Sequence, residues 1–271
     1  MIDSAGAQGQ PPPSPSAGLS TKAGPTRHRS AYGWRAKLGL IVPPTNTVNE
    51  GEWSRMVPEG VTFHTRRMPL HADTTSEAGR AALYADIGRA VGDLTPARVD
   101  VVAYGCTAGS MVSPPDALPQ HITGIAGCAA VTTAAAIVQA LRALGVRRLS
   151  IATPYHQALN DHEEHFLTDN GFEVLSITGL GIGAGGPHEY IRIAETPLVA
   201  VADHARRVFR PGSDALLISC TDFPTLPLLP DLEREFGVPV VTSNQATFWA
   251  ALRAAGIKDR FERFGALLAR H

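Results

Sequence analysis

Two cysteines stand at matching points of two similar stretches of this chain. Cys106 lies in VVAYGCTAGS, residues 101 to 110, and Cys220 lies in LLISCTDFPT, residues 216 to 225. Each follows an apolar run and is itself followed by a threonine and a loop of small or polar residues. Nearby N–H and hydroxyl donors lower the pKa of a thiol from its reference value of about 8.5. Two thiols on opposite faces of a bound carbon could act as base and acid, or as nucleophile and proton donor.

The segments around the cysteines alternate between apolar runs and helical patterns. Six nearly continuous apolar runs are typical of buried parallel strands: KLGLIVPP, VDVVAYG, RLSIATP, FEVLSITG, DALLISC and VPVVTS. Three longer stretches favour helices: SEAGRAALYADIGRAVGDL, AAVTTAAAIVQALRALG and PLVAVADHARRVF. This alternation predicts an α/β fold in which helices flank parallel sheets.

The chain also repeats itself. Three landmarks recur in the same order, with offsets of 110 residues for Pro44 and Pro154, 114 for the two cysteines, and 111 for Gly145 and Gly256. We therefore predict two similar α/β halves related by a pseudo-two-fold axis. Ligands bind at the carboxyl ends of parallel strands, so the two thiols are expected to meet across a cleft between the halves.

Three segments are predicted. Residues 1 to 32 are rich in Pro, Gly, Ser and Ala and have almost no large apolar side chain, which predicts a disordered tail. The first half is predicted over residues 33 to 146, with residues 240 to 271 packing back on it. The second half is predicted over residues 147 to 239.

Composition excludes several classes of partner. The 271 residues carry a formal net charge of -1, so the chain lacks the excess of positive charge that is typical of nucleic-acid-binding proteins. Gly, Pro or charged residues interrupt every apolar run before it reaches the length of a membrane span. Three cysteines are too few for a disulfide framework, which predicts a reducing, cytoplasmic location. A homo-oligomer is expected because soluble enzymes commonly form symmetric assemblies of identical chains.

Five motifs together resemble those of a known superfamily: GLIVPPTNT, AYGCTAGS, LRALGVRRLSIATPY, SCTDFPTL and GVPVVTSNQATFWAALR. They resemble the aspartate/glutamate racemase superfamily, in particular its branch of maleate cis-trans isomerases and arylmalonate decarboxylases. The likeness extends over nearly all of residues 37 to 257. It implies two Rossmann-like halves with the active site between them. It also implies chemistry on a small carboxylate that uses neither a cofactor nor a metal.

The resemblance implies roles for both cysteines, because Cys106 and Cys220 match the catalytic positions. Arylmalonate decarboxylases keep only the second cysteine and have glycine at the first, so Cys106 favours isomerase or racemase chemistry. In maleate isomerases the first cysteine adds to the double bond, the C2–C3 bond rotates, and elimination gives fumarate. Cys106 is therefore expected to be the nucleophile and Cys220 the proton-transfer group.

Other residues are expected to bind substrate. Asn46 matches a family asparagine that binds a substrate carboxylate, although asparagine also suits a helix N-cap or a turn. Tyr155 matches the tyrosine of the family TPY motif, although a half-buried tyrosine with a solvated hydroxyl is the structural alternative. The remaining expected substrate-binding residues are Thr45, Thr107, Ala108, Thr221 and Asp222.

One loop departs from the family pattern. Maleate isomerases usually carry a second carboxylate-binding asparagine where this chain has GLGIGAGGPHEYIRI, residues 179 to 193. Pro187 falls near that position and His188 is adjacent. Either His188 donates in place of the asparagine, or the loop binds a different substrate.

Two further motifs and the third cysteine have no expected role in the chemistry. GIGAGG, residues 181 to 186, satisfies G-x-G-x-x-G but lacks the acidic residue of a dinucleotide site, and favours a flexible loop that could cover the cleft. HQALNDHEEH, residues 156 to 165, is not H-E-x-x-H and favours a solvated helix start over a metal site. Cys128 is interpreted as core packing.

The leading hypothesis is a cofactor-independent isomerase of a small dicarboxylate, with maleate to fumarate as the reaction. The first alternative is a racemase of an amino acid or a related α-substituted acid, which would exchange the proton at Cα. A decarboxylase of the arylmalonate type comes next. The last alternative is a non-catalytic carboxylate-binding protein, which would bind tightly without turnover.

Overall fold

The computed structural model of the protein describes residues 26 to 71 and 76 to 271. In this part of the chain, eight strands form two four-stranded sheets in which every pairing is parallel. The strands are β1 (Ala36–Val42), β2 (Val61–Arg67), β3 (Val101–Tyr104), β4 (Ala129–Thr132), β5 (Arg148–Tyr155), β6 (Glu173–Ile182), β7 (Ala215–Ile218) and β8 (Val240–Thr242).

Helices connect the strands and cover the sheets. They are α1 (Asn49–Met56), α2 (Glu77–Leu94), α3 (Thr107–Ser110), α4 (Ala117–Ala126), α5 (Thr133–Ala143), α6 (Gln157–Asp169), α7 (Ile191–Ala194), α8 (Leu198–Val208), α9 (Leu229–Phe236), α10 (Ser243–Ala254) and α11 (Gly265–Arg270). None of the helices in the described residues combines the length and apolar character needed to cross a lipid bilayer.

The two sheets have the same strand order. The first is β2-β1-β3-β4 and the second is β6-β5-β7-β8. The inner strands β3 and β7 are buried at every position, because helices cover both faces of each sheet. The predicted α/β fold with two similar halves is confirmed.

The sequence patterns missed two strands. β2 has the sequence VTFHTRR and lies at the edge of its sheet, where most of its polar side chains remain partly or fully exposed. Its apolar pattern is therefore weak. Residues 129 to 132 were predicted as the start of a helix, but they form β4, which pairs with β3, and α5 begins only at Thr133. Strand pairing has overridden the helical preference of the alanines there.

One hydrophobic core runs through both halves. It joins buried side chains of the first sheet, such as Leu40, to those of the second, such as Ile151, through Trp53 and Phe248. Helix α5, which leaves the first sheet, packs against α10, which leaves the second. The halves are thereby held in a fixed relation across the cleft.

The predicted tail lies largely outside the described residues, which begin at residue 26. Within its last part, Arg27 and His28 form hydrogen bonds to the Asp100 carboxylate of 3.1 Å and 2.7 Å. Contacts with the first half therefore begin before residue 33.

The C-terminal segment, residues 240 to 271, was predicted to pack back on the first half. The structure divides it between the halves. Strand β8 pairs with β7 in the second sheet, while α10 packs against α5 and β4 of the first half. Helix α11 packs against α9 and β8 of the second half, as well as against α10. The division follows from parallel pairing, because β8 completes the second sheet before the chain crosses over.

Candidate active site

A cleft of about 520 Å³ opens where the carboxyl ends of the inner strands of both sheets face each other. Parallel sheets place ligand sites at this edge. Nine of the residues predicted from the sequence line it: Thr45, Asn46, Cys106, Thr107, Ala108, Tyr155, Cys220, Thr221 and Asp222.

Cys106 directly precedes α3 and caps its first turn. Its Sγ accepts a hydrogen bond of 3.4 Å from the backbone N–H of Gly109 and another from the Tyr104 hydroxyl. The side chain is 5% exposed. Burial raises the pKa of Cys106, and the two donors lower it in part. The residue therefore rests as a thiol beside donors that can stabilise its thiolate.

Cys220 adopts a strained backbone, with φ of 101°, in a region that residues other than glycine rarely occupy. Its N–H donates to Ser243 Oγ at 2.9 Å, which helps to hold this conformation. The Asp222 N–H donates to Sγ at 3.4 Å, and the Tyr155 hydroxyl donates to it as well. Burial and then the negative charge of Asp222 raise the pKa of Cys220 well above its ordinary value. Cys220 thus holds its proton firmly.

Buried hydroxyls tie the two thiol loops together. The Thr107 hydroxyl donates to Ser243 Oγ at 2.9 Å, the same atom that accepts the Cys220 N–H. The Thr221 hydroxyl donates to the carbonyl of Gly105 at 3.0 Å. These bonds cross from one half to the other and fix how the thiols face each other.

Asn46 lines the cleft and also caps a helix. Its Oδ1 accepts the N–H groups of Val48 at 3.1 Å and Asn49 at 3.0 Å, at the start of α1. Its Nδ2 donates to Thr221 Oγ1 at 3.1 Å. An asparagine amide has two N–H donors, so one of them remains for a bound molecule.

Asp222 is a largely buried carboxyl group with a raised pKa. Its carboxylate accepts the N–H of Thr47 at 2.9 Å. Burial raises the pKa of Asp222 to about 7, while its backbone hydrogen bonds and the charge of Arg67 lower it in part. No Lys or Arg side chain of the described residues lines the cleft, whereas three histidines do: His71, His156 and His162.

The loop after β6 reaches the cleft through a residue that the sequence did not suggest. His188 lies in an exposed turn over Pro187–Glu189 and is not among the residues that line the cleft, so its role as a substrate donor stays a prediction. Tyr190, two residues later, lines the cleft instead. Burial and then the charges of Cys106 and Cys220 raise the pKa of Tyr190.

The glycine-rich loop is anchored by a carboxylate of its own. The N–H groups of Gly183 and Gly185 donate to Glu189 Oε2 at 2.8 Å and 3.1 Å. These donors are therefore engaged within the loop. They hold the turn that places Tyr190 in the cleft.

Residues 156 to 165 are less solvated than predicted. His156 and His162 line the cleft, and Glu163 is buried among apolar side chains. The spacing of these three residues, at and after the start of α6, fits one face of a helix. The sequence alone does not show that this face points into the protein.

The described residues contain no cluster of three or more His, Cys, Asp or Glu side chains able to hold a metal ion. Cys128 is half-buried beside the second core, formed by α2, α4 and one face of the first sheet.

Comparison with known proteins gives consistent matches. A model of the arylmalonate decarboxylase family matches residues 38 to 268. The maleate isomerase of Nocardia farcinica is 31% identical over 245 residues, covering 86% of this chain and 95% of the relative. The arylmalonate decarboxylase of Bordetella bronchiseptica is 31% identical over 223 residues, covering 81% and 90%.

Solved structures agree with these matches. A cysteine-to-serine variant of the Nocardia farcinica maleate cis-trans isomerase, with a covalently bound succinylcysteine intermediate, matches with a TM-score of 0.76 at 27% identity. The match covers 87% of this chain and 99% of that one. The two facing thiols, the paired sheets and these similarities together show that the chain belongs to the arylmalonate decarboxylase family, in the branch that also contains the maleate isomerases.

Proposed function

We propose that the protein is a cofactor-independent maleate cis-trans isomerase in which Cys106 is the nucleophile and Cys220 transfers the proton. The observation that carries this proposal is the pair of buried thiols in one cleft, each with its own tyrosine and backbone N–H donor. A thiol at both positions provides what addition and protonation across a double bond require.

The first step is conjugate addition. Cys106 first gives up its proton to solvent, and the resulting thiolate attacks C2 of maleate: a C–S bond forms, and the π electron pair moves onto C3 and its carboxylate. The donors from Gly109 and Tyr104 stabilise the thiolate before the attack. Cys220 then gives its proton to C3, which leaves a succinyl thioether on Cys106 and a thiolate on Cys220.

The second step is elimination, which reverses the addition after the C2–C3 bond has rotated. The C2–C3 bond is now single and rotates. The Cys220 thiolate takes a proton from C3, the double bond forms again, and the Cys106 thiolate leaves. Fumarate is released and both sulfurs regain their starting protonation. The Tyr155 hydroxyl and the Asp222 N–H stabilise the transient charge on Cys220.

The substrate carboxylates need donors on both sides of the thiols. The free N–H of Asn46 and the hydroxyl of Thr45 line one part of the cleft. His156, His162 and Tyr190 also line the cleft. We assign one carboxylate to each group.

The same thiols also fit a racemase, as base and acid on the two faces of one Cα. A decarboxylase of the arylmalonate type is disfavoured by the thiol at position 106. The thiol chemistry needs reduced sulfur, which supports a cytoplasmic location, and we propose a homo-oligomer on symmetry grounds.

Proton NMR of the purified protein with maleate in D2O, without metal or nucleotide, tests the proposal. Fumarate is expected to appear. If maleate stays unchanged while an amino or hydroxy acid gains deuterium at Cα, the racemase replaces the isomerase. Loss of CO2 from a substituted malonate would instead favour the decarboxylase.

A further inference from the structure

Glu52 is a buried carboxylate that the two-thiol chemistry leaves unused. It lies on α1, in the first half, and is 4% exposed. Its Oε1 accepts the backbone N–H groups of Thr225 at 2.6 Å and Leu226 at 2.7 Å, in the loop that follows the second thiol. Its Oε2 accepts a hydrogen bond of 2.8 Å from Nδ2 of Asn244, on α10. One carboxylate of the first half thus binds two segments that lie beside Cys220 in the second sheet.

The contacts of Glu52 are those of an ionised carboxylate. Both of its oxygens accept hydrogen bonds, and the Thr225 hydroxyl adds a longer contact of 3.3 Å to each. A carboxyl group that only accepts carries no proton. Burial raises the pKa of Glu52, and the hydrogen bonds from Leu226, Thr225 and Asn244 lower it in part. The site therefore requires two accepting oxygens, which an amide side chain does not have.

Asn244 extends the contact from Glu52 to the loop of the second thiol. Its Nδ2 group also donates to the carbonyl of Thr221, at 3.0 Å. An amide NH2 group has two N–H donors, so both are in use. The side chain is 1% exposed, and the Trp53 indole donates to the Asn244 carbonyl at 3.2 Å. Because both acceptors face Nδ2, the amide cannot turn over without losing them.

The Thr221 carbonyl and the Asp222 N–H belong to a single peptide unit. A trans peptide is planar, so its C=O and N–H groups point in opposite directions. The carbonyl of this unit faces Asn244, and its N–H donates to Cys220 Sγ at 3.4 Å. The hydrogen bond from Asn244 therefore fixes the direction of a donor to the second sulfur. This support is needed because Cys220 itself has a φ of 101°, which its backbone does not favour.

We infer that Glu52 is a positioning residue that acts through Asn244 to aim the Asp222 N–H at Cys220. The same carboxylate also holds the far end of the loop, so the peptide unit is restrained from both sides. In the proposed isomerase, this N–H stabilises the negative charge that Cys220 carries after it has protonated C3. That catalytic consequence rests on the proposed function, while the support of the N–H donor does not.

Glu52→Gln tests this link by exchanging one oxygen for a nitrogen in a side chain of nearly the same size. The remaining oxygen can still accept from Thr225 and Leu226. The new NH2 group then faces the NH2 group of Asn244, and two donors cannot bond to each other. Asn244 must move away or turn over, and either change removes the donor from the Thr221 carbonyl.

Alkylation of Cys220 measures the result without any substrate. The chain has three cysteines, so Cys106→Ser with Cys128→Ser leaves Cys220 as the sole thiol. The rate of reaction with iodoacetamide follows the thiolate fraction. Loss of the N–H donor should lower that fraction about tenfold, while the more basic sulfur regains about threefold in nucleophilicity. Glu52→Gln should therefore react about threefold more slowly than its parent.

The direction of the change separates positioning from a loss of packing. A loop that merely loosened would expose the sulfur and speed up its alkylation. An unchanged or faster rate in Glu52→Gln would therefore overturn the inference. Circular dichroism confirms that each variant is folded. Glu59→Gln, which changes an exposed carboxylate shortly after the same helix, is the matched control and should keep the parental rate.

Asn244→Ala tests the route from the other side. It removes the donor to the Thr221 carbonyl and leaves Glu52 in place with its charge. The slowing should equal that of Glu52→Gln, and the double variant should be no slower than either single variant. Effects that add in the double variant would show two independent disturbances and would overturn the route through Asn244.

The first thiol serves as a control within the same fold. In Cys128→Ser with Cys220→Ser the sole thiol is Cys106, whose donors are the Gly109 N–H and the Tyr104 hydroxyl. Glu52→Gln should leave its alkylation rate unchanged. Equal changes at both sulfurs would indicate a general disturbance of the interface and would overturn a role specific to the second thiol.

Activity is measured separately, on proteins with all three cysteines. Glu52 is not among the residues that line the cleft, so Glu52→Gln should leave KM nearly unchanged and lower kcat about tenfold. Slower alkylation of Cys220 in a protein that leaves maleate unchanged would support the role of Glu52 and remove the proposed substrate. Unchanged alkylation in an active isomerase would overturn the role of Glu52 alone.

Discussion

Thr221, which follows the second thiol, donates a hydrogen bond of 3.0 Å to the carbonyl of Gly105, which precedes the first. Both groups are buried. The two cysteine loops come from different sheets and yet are joined by direct hydrogen bonds. The distance and orientation between the sulfurs are therefore set by the interface between the halves, and substitutions there should change catalysis without touching a sulfur.

Ser243 is the first residue to test in this interface. Its Oγ accepts from the Cys220 N–H and the Thr107 hydroxyl, both at 2.9 Å. Ser243→Ala leaves two buried donors unsatisfied, so we expect a loss of about 1–3 kcal/mol in the free energy of unfolding, together with a lower kcat. Urea unfolding and steady-state kinetics measure both. Ser54→Ala, at an exposed position, is the matched control. If it lowered stability and kcat as much as Ser243→Ala does, the hydrogen bonds of Ser243 would not be what positions the thiols.

Mass spectrometry can show which of the two thiols forms the covalent bond to the substrate. In Cys220→Ser the intermediate should form on Cys106 and decay slowly, because the group that removes the proton is gone. Incubation with maleate should then add the mass of one maleic acid to the peptide containing Cys106. Cys106→Ser should give no adduct. An adduct on Cys220 would exchange the two roles.

Both cysteine-to-alanine variants should stay folded and lose turnover. Cys106 and Cys220 are small buried side chains, so truncation to alanine removes a sulfur and little packing. Thermal unfolding and the NMR assay check the two statements. Near-normal activity in either variant would contradict the two-thiol mechanism.

Gly109 should be intolerant of a methyl group. A Cβ there would collide with the Tyr104 hydroxyl and press on the Sγ of Cys106. Gly109→Ala should therefore displace the donor and lower kcat by at least tenfold, about 1.4 kcal/mol in the activation free energy. Gly124→Ala, in helix α4 with open space around the added atom, should keep full activity and gain about 0.5–1 kcal/mol of stability. Comparable kcat losses in the two variants would contradict this account.

Stability should fall as pH rises towards neutrality. The pKa of Asp222 is raised to about 7, so between its unfolded value near 4 and about pH 7 the native state binds more protons than the unfolded state. Its contribution becomes less favourable across this window and is constant above it.

Asp222→Asn should remove part of that decline. Urea unfolding at about pH 5 and about pH 8 measures it for the parent and the variant. Asp231→Asn, an exposed carboxylate on α9, should leave the decline unchanged. If Asp222→Asn kept the parental pH dependence, Asp222 would not be the group responsible.

The sequence by itself determined the fold class and the two thiols. Parallel strands buried on both faces leave continuous apolar runs, and a repeat with constant offsets needs no structure to be seen. Tyr155 and Asn46 were identified through the resemblance of the motifs around them to those of a known family. All of this information is local along the chain.

Tertiary structure decided the rest, because it depends on which distant segments meet. Edge strand β2 has little apolar pattern of its own and is defined by pairing with β1. The sequence pointed to His188, whereas the turn held by Glu189 brings Tyr190 to the cleft. Glu163 looks like a solvated helix residue until α6 is packed, and burial away from any counter-charge is what gives it a raised pKa. Desolvation and charge proximity are properties of the folded state, and no pattern in the chain encodes them directly.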